Sequence, residues 1–214
     1  KTAELSKLSE NSFRDVNIAF ANELSMICDE NNVNVWDLIK IANMHPRVNI
    51  LQPGPGVGGH CIAVDPWFLA YSNPKTANII KQARLVNLDK EIFIYNKIKK
   101  TIKDHSKAIN KLVVACFGIA FKANVNDLRE SPSLSIAKKL LKLPFKKINI
   151  VEPNINELPK SMHRKNVKLS CINETIETSD ILLFFVEHCE FISINKDKLK
   201  NKVILDFKGI FNYN

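Results

Sequence analysis

The sequence predicts an α/β chain in two parts, an all-α part that contains a long helix and a part built on a parallel sheet. Up to about residue 109, apolar side chains recur at the three- and four-residue spacing of amphipathic helices. From residue 110 onward, short apolar runs alternate with helix-like segments, which is typical of a parallel sheet with crossover helices. We therefore expect two domains, residues 1–109 and 110–214.

The first part is predicted to hold three helices and one long irregular stretch. The first helix is predicted by an apolar stripe over residues 5–30, formed by Leu5, Leu8, Val16, Phe20, Leu24 and Ile27. Asn34 has the character of an N-cap and begins a short second helix. A long helix is expected over residues 75–107, packed either against a second subunit or within a single-chain bundle. Five prolines interrupt residues 45–74, and long irregular stretches are usually functional or disordered.

The second part is predicted from four buried-strand runs. Ser131 and Pro132 have the character of N-cap and N1 residues, so they should begin the helix that follows the first strand. The four runs are KLVVACFG, KKINIV, DILLFFV and KVILDF.

Composition narrows the class of protein. The 214 residues are 45% hydrophobic, enough for a sizeable core, and no run approaches the roughly 18 apolar residues of a membrane helix. The five cysteines form no C-x-x-C pair, which disfavours a disulfide framework and a structural zinc site. We expect a cytoplasmic protein with free thiols and no membrane partner.

The net charge of +9 allows an acidic partner. The lysines, however, are spread over helical surfaces, and neither a basic stripe with interleaved aromatic residues nor a known nucleic-acid module is present. Nucleic acid is therefore disfavoured, and a small anionic substrate stays open.

The segment GPGVGG, residues 54–59, matches the dinucleotide fingerprint G-x-G-x-x-G but lacks its context. Pro53 and Pro55 interrupt what precedes it, and Pro66 is expected to block a helix after it. Ile79 stands where an acidic residue should bind the ribose. We therefore reject a dinucleotide site at this segment.

The same glycines lead directly into His60 and Cys61. A cysteine on a glycine loop, near a histidine and four residues before Asp65, could be a thiolate nucleophile. It could equally be a small residue in a tight turn. A metal site is less favoured, because no second ligand cluster with zinc spacing is present.

One face of the first helix carries a second group of polar residues. Lys7, Asn11 and Arg14 lie at positions i, i+4 and i+7 and so project from the same side. They could bind a ligand, or they could simply be a solvated surface.

Four segments together resemble one family. The chain resembles the UDP-glucose/UDP-mannuronate dehydrogenase family nearly end to end, and the loop around Cys61 is highly specific to it. The resemblance implies a central helical dimerisation domain followed by a Rossmann-like UDP-binding domain. The segments are AELSKLSENSFRDVNIAFANEL, HPRVNILQPGPGVGGHCIAVDPWFL, GIAFKANVNDLRESPS and LDFKGIF.

The resemblance implies a four-electron oxidation of the sugar C6 alcohol to a carboxylate, with NAD as cofactor and a thioester on Cys61. Lys7 would be the acid/base residue, Asn11 would hold the reacting oxygen or a water, and Asp65 would orient or deprotonate it. The loop version GGHCIAVDPW favours UDP-N-acetyl-D-mannosamine as the substrate, for surface polysaccharide synthesis.

The resemblance also implies a set of binding residues. His45 and Arg47 would reach across from the second subunit of a homodimer, so that the two subunits share each active site. Arg129 would approach NAD. The implied substrate contacts are Arg14, Gly58, Phe121, Lys122 and Lys208.

NAD is expected to be bound mainly by an N-terminal domain that precedes residue 1 in the family, so this chain alone should not turn over. Two alternatives remain. One is a dehydrogenase for UDP-N-acetylglucosamine or UDP-glucose. The other is a non-catalytic UDP-sugar-binding or dimerisation module.

Overall fold

The computed structural model describes residues 1–211, which form two compact units. One unit ends at Phe93 and the other begins at Ile94, within a long helix. The domain boundary predicted from the sequence, after residue 109, lies further along the chain, between the end of that helix and the first strand. The two predicted domains stay a prediction. Residues 212–214 of the predicted second domain lie outside the described residues.

The first unit is helical, as predicted. Helix α1 (Thr2–Glu30) is followed by α2 (Val35–Ala42), α3 (Asp65–Ser72) and α4 (Asn78–Lys103). Asn34 caps α2 as expected, because its side-chain oxygen accepts the backbone N–H of Trp36 at 2.9 Å and of Asp37 at 3.3 Å. Helix α4 is shorter at both ends than the predicted span of residues 75–107.

The expectation that Pro66 blocks a helix is wrong. Pro66 lies in the first turn of α3. A backbone N–H at this position would have no partner within the helix, so proline loses no hydrogen bond there, and its fixed φ suits the start of a helix. The stretch between residues 45 and 74 is therefore only partly irregular. The rejection of a dinucleotide site still stands, because no strand precedes the glycines.

The predicted apolar stripe of α1 is only partly buried. Leu5, Phe20 and Ile27 are each at least half exposed, whereas Leu8, Val16 and Leu24 are half-buried, and Leu24 packs against the apolar cluster that α1 forms with α2. The pattern correctly predicted a helix, but the residues that the helix buries fully are mostly small or polar. The buried residues are Asn11, Ser12, Asp15, Ala19, Ala21, Asn22 and Cys28.

A hydrogen-bond network joins this polar face to α4. The Arg84 guanidinium donates to the Asp15 carboxylate at 2.6 Å, and the Asn87 amide donates to the same oxygen at 2.8 Å. Arg84 is 3% exposed and Asp15 fully buried, and burial raises the pKa of Asp15 in spite of the neighbouring guanidinium. The two helices are thus held by a buried ion pair that has little apolar support around it.

The apolar core of the first unit is small by comparison. Ala21 and Cys28 of α1 pack with Val35 and Ile39 of α2, and partly buried side chains such as Trp36 cover this cluster. Apolar packing thus joins α1 to α2, whereas buried polar groups join α1 to α4.

The second unit contains a five-stranded parallel sheet with strand order β3-β2-β1-β4-β5. This is the order of one half of a Rossmann fold extended by two strands, and it confirms the predicted α/β class. The strands are β1 (Val113–Phe117), β2 (Lys147–Val151), β3 (Val167–Leu169), β4 (Ile181–Phe184) and β5 (Val203–Asp206).

Strand β3 escaped prediction because it has only three residues at the sheet edge and no apolar run. The crossover helices are α5 (Pro132–Leu140), α6 (Ile172–Thr178) and the short α7 (Cys189–Ile192). Ser131 caps α5 by accepting the Leu134 N–H, and Pro132 occupies its first turn, as predicted. No helix within residues 1–211 is long and apolar enough to cross a membrane.

Gly118 fixes the carboxyl end of β1. Its φ of +85° is in the left-handed region, and a Cβ there would lie 2.5 Å from the Cβ of Val186. Only glycine satisfies both constraints, so β1 and the residues after β4 can approach closely. The polypeptide that leaves β1 at this point enters a long loop over residues 118–131, which we call the β1–α5 loop.

We expect Arg84→Met to lower the free energy of unfolding of the first unit by about 3–5 kcal/mol, because it leaves the Asp15 carboxylate buried without its counter-charge. The double variant Asp15→Asn/Arg84→Met should recover most of this loss. Both tryptophans, Trp36 and Trp67, lie in this unit, so urea unfolding followed by tryptophan fluorescence measures it. A double variant no more stable than Arg84→Met would contradict the prediction.

Candidate active site

The loop before α3 presents Cys61 to solvent. Gly59 has a φ of +81°, a left-handed conformation that glycine adopts without strain, and Cys61 is exposed two residues later. The Cys61 carbonyl accepts the backbone N–H of Val64 at 3.1 Å and of Asp65 at 2.8 Å. Cys61 therefore occupies the tight turn that leads into α3, and its thiol is accessible rather than buried.

Asn11 and Asp65 meet in this region. The Asn11 amide donates to the Asp65 carboxylate at 2.6 Å, which joins the polar face of α1 to the first residue of α3. Asp65 thus contacts Asn11 through its side chain and Cys61 through its backbone N–H, which connects three of the predicted catalytic residues by hydrogen bonds. Among residues 1–211, no three His, Cys, Asp or Glu side chains group so as to hold a metal ion.

Lys7 and Arg14 lie on α1 on either side of Asn11. The Lys7 side chain is 65% exposed, and its ammonium lies 3.3 Å from the Glu10 carboxylate. Arg14 is also exposed. The helix therefore places both cations beside Asn11 along one face, as the spacing predicts, while Lys7 makes its observed ion pair with Glu10.

Two buried or half-buried asparagines of α1 hold the loop before Cys61. The Asn17 side chain donates to the Asn49 carbonyl at 3.0 Å and accepts the Leu51 N–H at 3.0 Å. Asn22 accepts the Gly54 N–H at 2.9 Å and donates to Asn87 of α4 at 2.9 Å. Sequence reasoning missed both residues, although Asn22 lies on the helix face that also carries Asp15, whereas Asn17 lies on the opposite side.

The remaining predicted site residues of the first unit lie around this loop. His45 and Arg47 are exposed in the turn after α2, where the Arg47 N–H donates to the His45 ring at 3.3 Å. Gly58 is half-buried. The structure does not bring His45 and Arg47 into hydrogen-bond contact with Cys61 or Asp65 among the described residues.

In the second unit, the β1–α5 loop carries three predicted ligand contacts. Lys122 is exposed, with its ammonium 5.6 Å from the centre of the Phe121 ring. Arg129 pairs with Asp127 of the same loop, at 2.6 Å between guanidinium and carboxylate. All three residues follow β1, at the carboxyl edge where open parallel sheets bind their ligands.

Lys208 lies just beyond β5 at the same sheet edge. Its ammonium is 2.7 Å from the Glu187 carboxylate, and its side chain is 17% exposed. Burial lowers the pKa of Lys208 to about 8. The Asp206 carboxylate holds the turn by accepting the N–H groups of Lys208 and Phe211 at 3.0 Å, and burial raises the pKa of Asp206.

Glu152, at the end of β2, occupies the position from which Rossmann domains usually bind the ribose of a dinucleotide. Here its carboxylate is 3% exposed and accepts the N–H groups of Ile119 and Ala120 at 2.7 and 2.9 Å. The loop after β1 therefore occupies the carboxylate, and this half of the chain does not fit a dinucleotide in the usual cradle.

Sequence reasoning missed Glu152, His188 and Asp206. Glu152 and His188 follow predicted strands directly or within two residues, and Asp206 lies near the end of the predicted run KVILDF, at the sheet edge where ligands bind. That placement was the available signal.

Comparison with known proteins identifies the class. Residues 1–89 match the central domain of the UDP-glucose/GDP-mannose dehydrogenase family, and residues 115–213 match its UDP-binding domain. The chain belongs to this family and comprises these two domains.

The relatives give a finer comparison. A UDP-N-acetyl-D-mannosamine dehydrogenase from Campylobacter jejuni is 56% identical over 200 residues, covering 93% of this chain and 48% of the relative. The protein of the same name from Escherichia coli K12 is 49% identical over 215 residues, covering 99% of this chain and 51% of the relative. The chain thus spans about half the length of the curated relatives it matches.

Solved structures agree on the fold. A UDP-D-ManNAc dehydrogenase from Pyrococcus horikoshii has a TM-score of 0.83 at 31% identity, and the match covers 98% of this chain and 48% of the Pyrococcus chain. A UDP-N-acetyl-mannosamine dehydrogenase from S. aureus has a TM-score of 0.80 at 38% identity, with the same coverage.

We expect one lysine of the protein to titrate near pH 8, because burial disfavours the charged form of Lys208. NMR of lysines labelled at Cε measures it, and the signal should vanish in Lys208→Arg. An anion bound beside Lys208 would favour the charged form, so its binding at pH 8 should take up protons. The prediction is wrong if every lysine titrates near the ordinary value of about 10.4.

Proposed function

We propose that this chain supplies the catalytic and nucleotide-binding parts of an NAD-dependent enzyme that oxidises UDP-N-acetyl-D-mannosamine to UDP-N-acetyl-D-mannosaminuronate. The observation that carries the proposal is the hydrogen bond from the Asn11 amide to the carboxylate of Asp65, whose backbone N–H is bonded to the carbonyl of the exposed Cys61. We propose that the accessible thiol acts with this amide and carboxylate in covalent catalysis on a carbonyl carbon.

The oxidation first converts the C6 alcohol to an aldehyde. The Cys61 thiolate then attacks the aldehyde carbon, which forms a C–S bond and leaves negative charge on the former carbonyl oxygen. The Lys7 ammonium and the Asn11 amide are proposed to stabilise that oxygen. Loss of the second hydrogen with its electron pair from carbon six converts the adduct to a thioester.

Water then attacks the thioester carbonyl. The C–S bond breaks, the sulfur leaves as thiolate, and the product is the carboxylate. Asp65 is proposed to orient this water and take its proton, because it lies beside Cys61 and is held by Asn11 at 2.6 Å. The hydrogen bond from Asn11 keeps the carboxylate in position for that transfer.

The cations of the chain are proposed to bind the rest of the substrate. Lys122 and Lys208 lie at the carboxyl edge of the sheet, where they can pair with the pyrophosphate of the UDP group, and Phe121 adds an apolar contact. Arg14 and Gly58 are the proposed contacts in the first unit. Cationic groups that flank a diphosphate give strong charge-assisted hydrogen bonds.

NAD, when bound, accepts each of the two electron pairs together with the hydrogen on carbon six. We propose that it is held mainly by a domain outside these 214 residues, with Arg129 as a contact from this chain. Glu152 supports this proposal, because its carboxylate is bonded to the N–H groups of Ile119 and Ala120 and so is not available to bind the ribose of a dinucleotide in the second unit.

A second sugar is worth testing beside N-acetylmannosamine. A relative from Ralstonia solanacearum that is 48% identical over 211 residues is named an NDP-N-acetyl-D-galactosaminuronic acid dehydrogenase. Its identity is close to that of the mannosamine enzymes, so the epimer must be decided by experiment.

We further propose a homodimer in which His45 and Arg47 complete the partner's site. The support is a stripe of exposed apolar side chains on one side of α1. Leu5, Phe13, Phe20 and Ile27 share this side at intervals of about two turns, and they are between 50% and 69% exposed. Exposed apolar side chains grouped on one helix face can mark an interaction surface.

The proposed reaction is tested by joining the chain to the NAD-binding domain of a relative and measuring NADH with UDP-N-acetylmannosamine. We expect two NADH for each sugar oxidised to the acid, and loss of acid formation in Cys61→Ala by at least about a thousandfold. Cys171→Ala is the matched control, since Cys171 is also an exposed thiol but lies on the other unit.

Parallel assays with UDP-N-acetylglucosamine, UDP-N-acetylgalactosamine and UDP-glucose decide the sugar. Full oxidation to acid by Cys61→Ala would refute the thioester, whereas activity confined to another sugar would refute only the assignment of the substrate. Absence of binding to any UDP-sugar would refute the enzymatic proposal as a whole.

The dimer is tested by replacing the stripe. We expect the double variant Phe13→Asp/Phe20→Asp to sediment as a monomer at concentrations where the parent sediments as a dimer, because two charges would be buried without partners. Analytical ultracentrifugation gives the mass, and Phe68→Asp, an exposed aromatic residue of α3, is the control. A parent that is monomeric throughout, or a double variant that stays dimeric, would contradict this interface.

A further inference from the structure

The second unit contains a buried acid and base that the proposed reaction does not use. His188 is fully buried and Glu152 is 3% exposed, and the His188 ring nitrogen Nε2 lies 3.0 Å from one Glu152 oxygen and 3.2 Å from the other. Burial opposes ionisation of Glu152, but the hydrogen bonds from His188, Ile119 and Ala120 outweigh it and lower the pKa of the carboxyl. The carboxylate is therefore charged and fully engaged.

The hydrogen bonds define the tautomer of His188. Its Nδ1 atom faces two donors, the backbone N–H of Asn124 at 2.9 Å and the side-chain amide of Asn154 at 3.2 Å. Nδ1 must accept these bonds and so carries no proton. The proton is on Nε2, where it is donated to Glu152.

This pair holds the β1–α5 loop at two points. Glu152 accepts the backbone N–H groups of Ile119 and Ala120 where the loop begins, and His188 accepts that of Asn124 near its middle. The Asn124 side chain adds a third contact, since its oxygen accepts the Cys189 N–H at 3.0 Å. No other part of the loop has as many bonds to the rest of the second unit among the hydrogen bonds described.

The loop needs such anchors because its backbone is strained. Asn124 has a φ of +58° and Glu130 a φ of +48°, conformations that non-glycine residues adopt rarely and only when their surroundings fix them. Phe121 and Lys122 lie between the anchored residues Ala120 and Asn124. Their position therefore depends directly on Glu152 and His188.

We propose that Glu152 and His188 are positioning residues, which fix the β1–α5 loop so that Phe121 and Lys122 meet the sugar nucleotide. The proposal rests on the proposed function for the identity of that ligand. Under this proposal Glu152, the acid after β2, binds the β1–α5 loop of the protein itself instead of the ribose of a dinucleotide.

Two variants remove the pair without creating a cavity. His188 packs edge-on against Phe191, with 5.1 Å between the ring centres, and His188→Phe keeps a ring that can make this contact. The variant leaves the Asn124 N–H without its acceptor. Glu152→Gln can still accept the N–H groups of Ile119 and Ala120 but turns a second donor toward His188. Ile176→Ala on α6 is the control, because it destabilises the same core without removing a loop anchor.

The first measurement uses the chain itself. Amide hydrogen exchange should speed up at Asn124 in His188→Phe by at least about tenfold relative to Ile176→Ala, and nitrogen-15 NMR of the parent should show His188 protonated on Nε2. Unchanged exchange at Asn124, or a proton on Nδ1, would overturn the proposal.

The second measurement titrates UDP-N-acetylmannosamine into the labelled chain and follows the amides of Phe121 and Lys122. We expect affinity about tenfold weaker in either variant, and little further loss in the double variant, because the pair acts as a unit. When the chain is joined to an NAD-binding domain, KM for the sugar nucleotide should rise while kcat stays within about twofold.

The outcomes separate this proposal from the proposed function. If the parent binds the sugar nucleotide and both variants bind it equally well, the positioning role is wrong and the proposed function stands. If exchange at Asn124 responds as expected but the parent binds no UDP-sugar, the proposed function is wrong, and with it the ligand assigned to the loop. Effects of equal size in Ile176→Ala would reduce the role of the pair to stability alone and overturn the proposal.

Discussion

The first unit depends on the buried ion pair between Asp15 and Arg84 and the two amides around it. Through Asn87 and Asn22 this network extends from α4 across α1 to the backbone of Gly54. The loop that presents Cys61 is therefore attached to helix α1 by hydrogen bonds, which have defined directions, in addition to the packing of Ile50 on the apolar cluster of α1 and α2. Asn11 then extends the same face of α1 to Asp65. One helix face thus sets both the scaffold and the proposed chemistry.

In the second unit, a loop is also held in place by hydrogen bonds to buried polar groups. Parallel strands deliver polar groups to one edge, but a loop as long as residues 118–131 has no regular hydrogen bonding of its own. Gly118 allows the backbone to leave β1 against Val186, and the acid after β2 then binds the first two free N–H groups. The acid after β2, which binds a ribose in many Rossmann domains, thus binds the backbone of the β1–α5 loop here, although the strand order is that of a Rossmann half.

The fold was largely predictable because its signals are local. Four strands, the helix caps at Asn34 and Ser131, and the change of period near residue 110 all arise from residues close together in the sequence. The buried side of α1 was not predictable, since Asn22 and Asp15 are buried only because partners over thirty residues away complete their hydrogen bonds. Strand β3 was missed because it is a short edge strand, and the helix at Pro66 was missed because proline is tolerated in a first turn.

The site was predictable to the extent that resemblance identified it. The Asn11 and Asp65 side chains are hydrogen-bonded and Cys61 accepts the Asp65 backbone N–H, but the catalytic roles of all three stay predictions. Spacing alone had left a nucleophile and a small turn residue as equal possibilities for Cys61. Glu152, His188 and Asp206 were missed because their partners are backbone groups, and a sequence does not indicate which backbone groups will need an acceptor. Burial of a charged group can be inferred only once the loop that covers it is known.

The exposed stripe of α1 has a thermodynamic consequence. The apolar area of Leu5, Phe13, Phe20 and Ile27 that stays in contact with water contributes little free energy to the folding of the unit alone. In the proposed homodimer the partner subunit would cover that area. Folding and association would then be one linked equilibrium, and the population of the folded unit would rise with protein concentration by mass action.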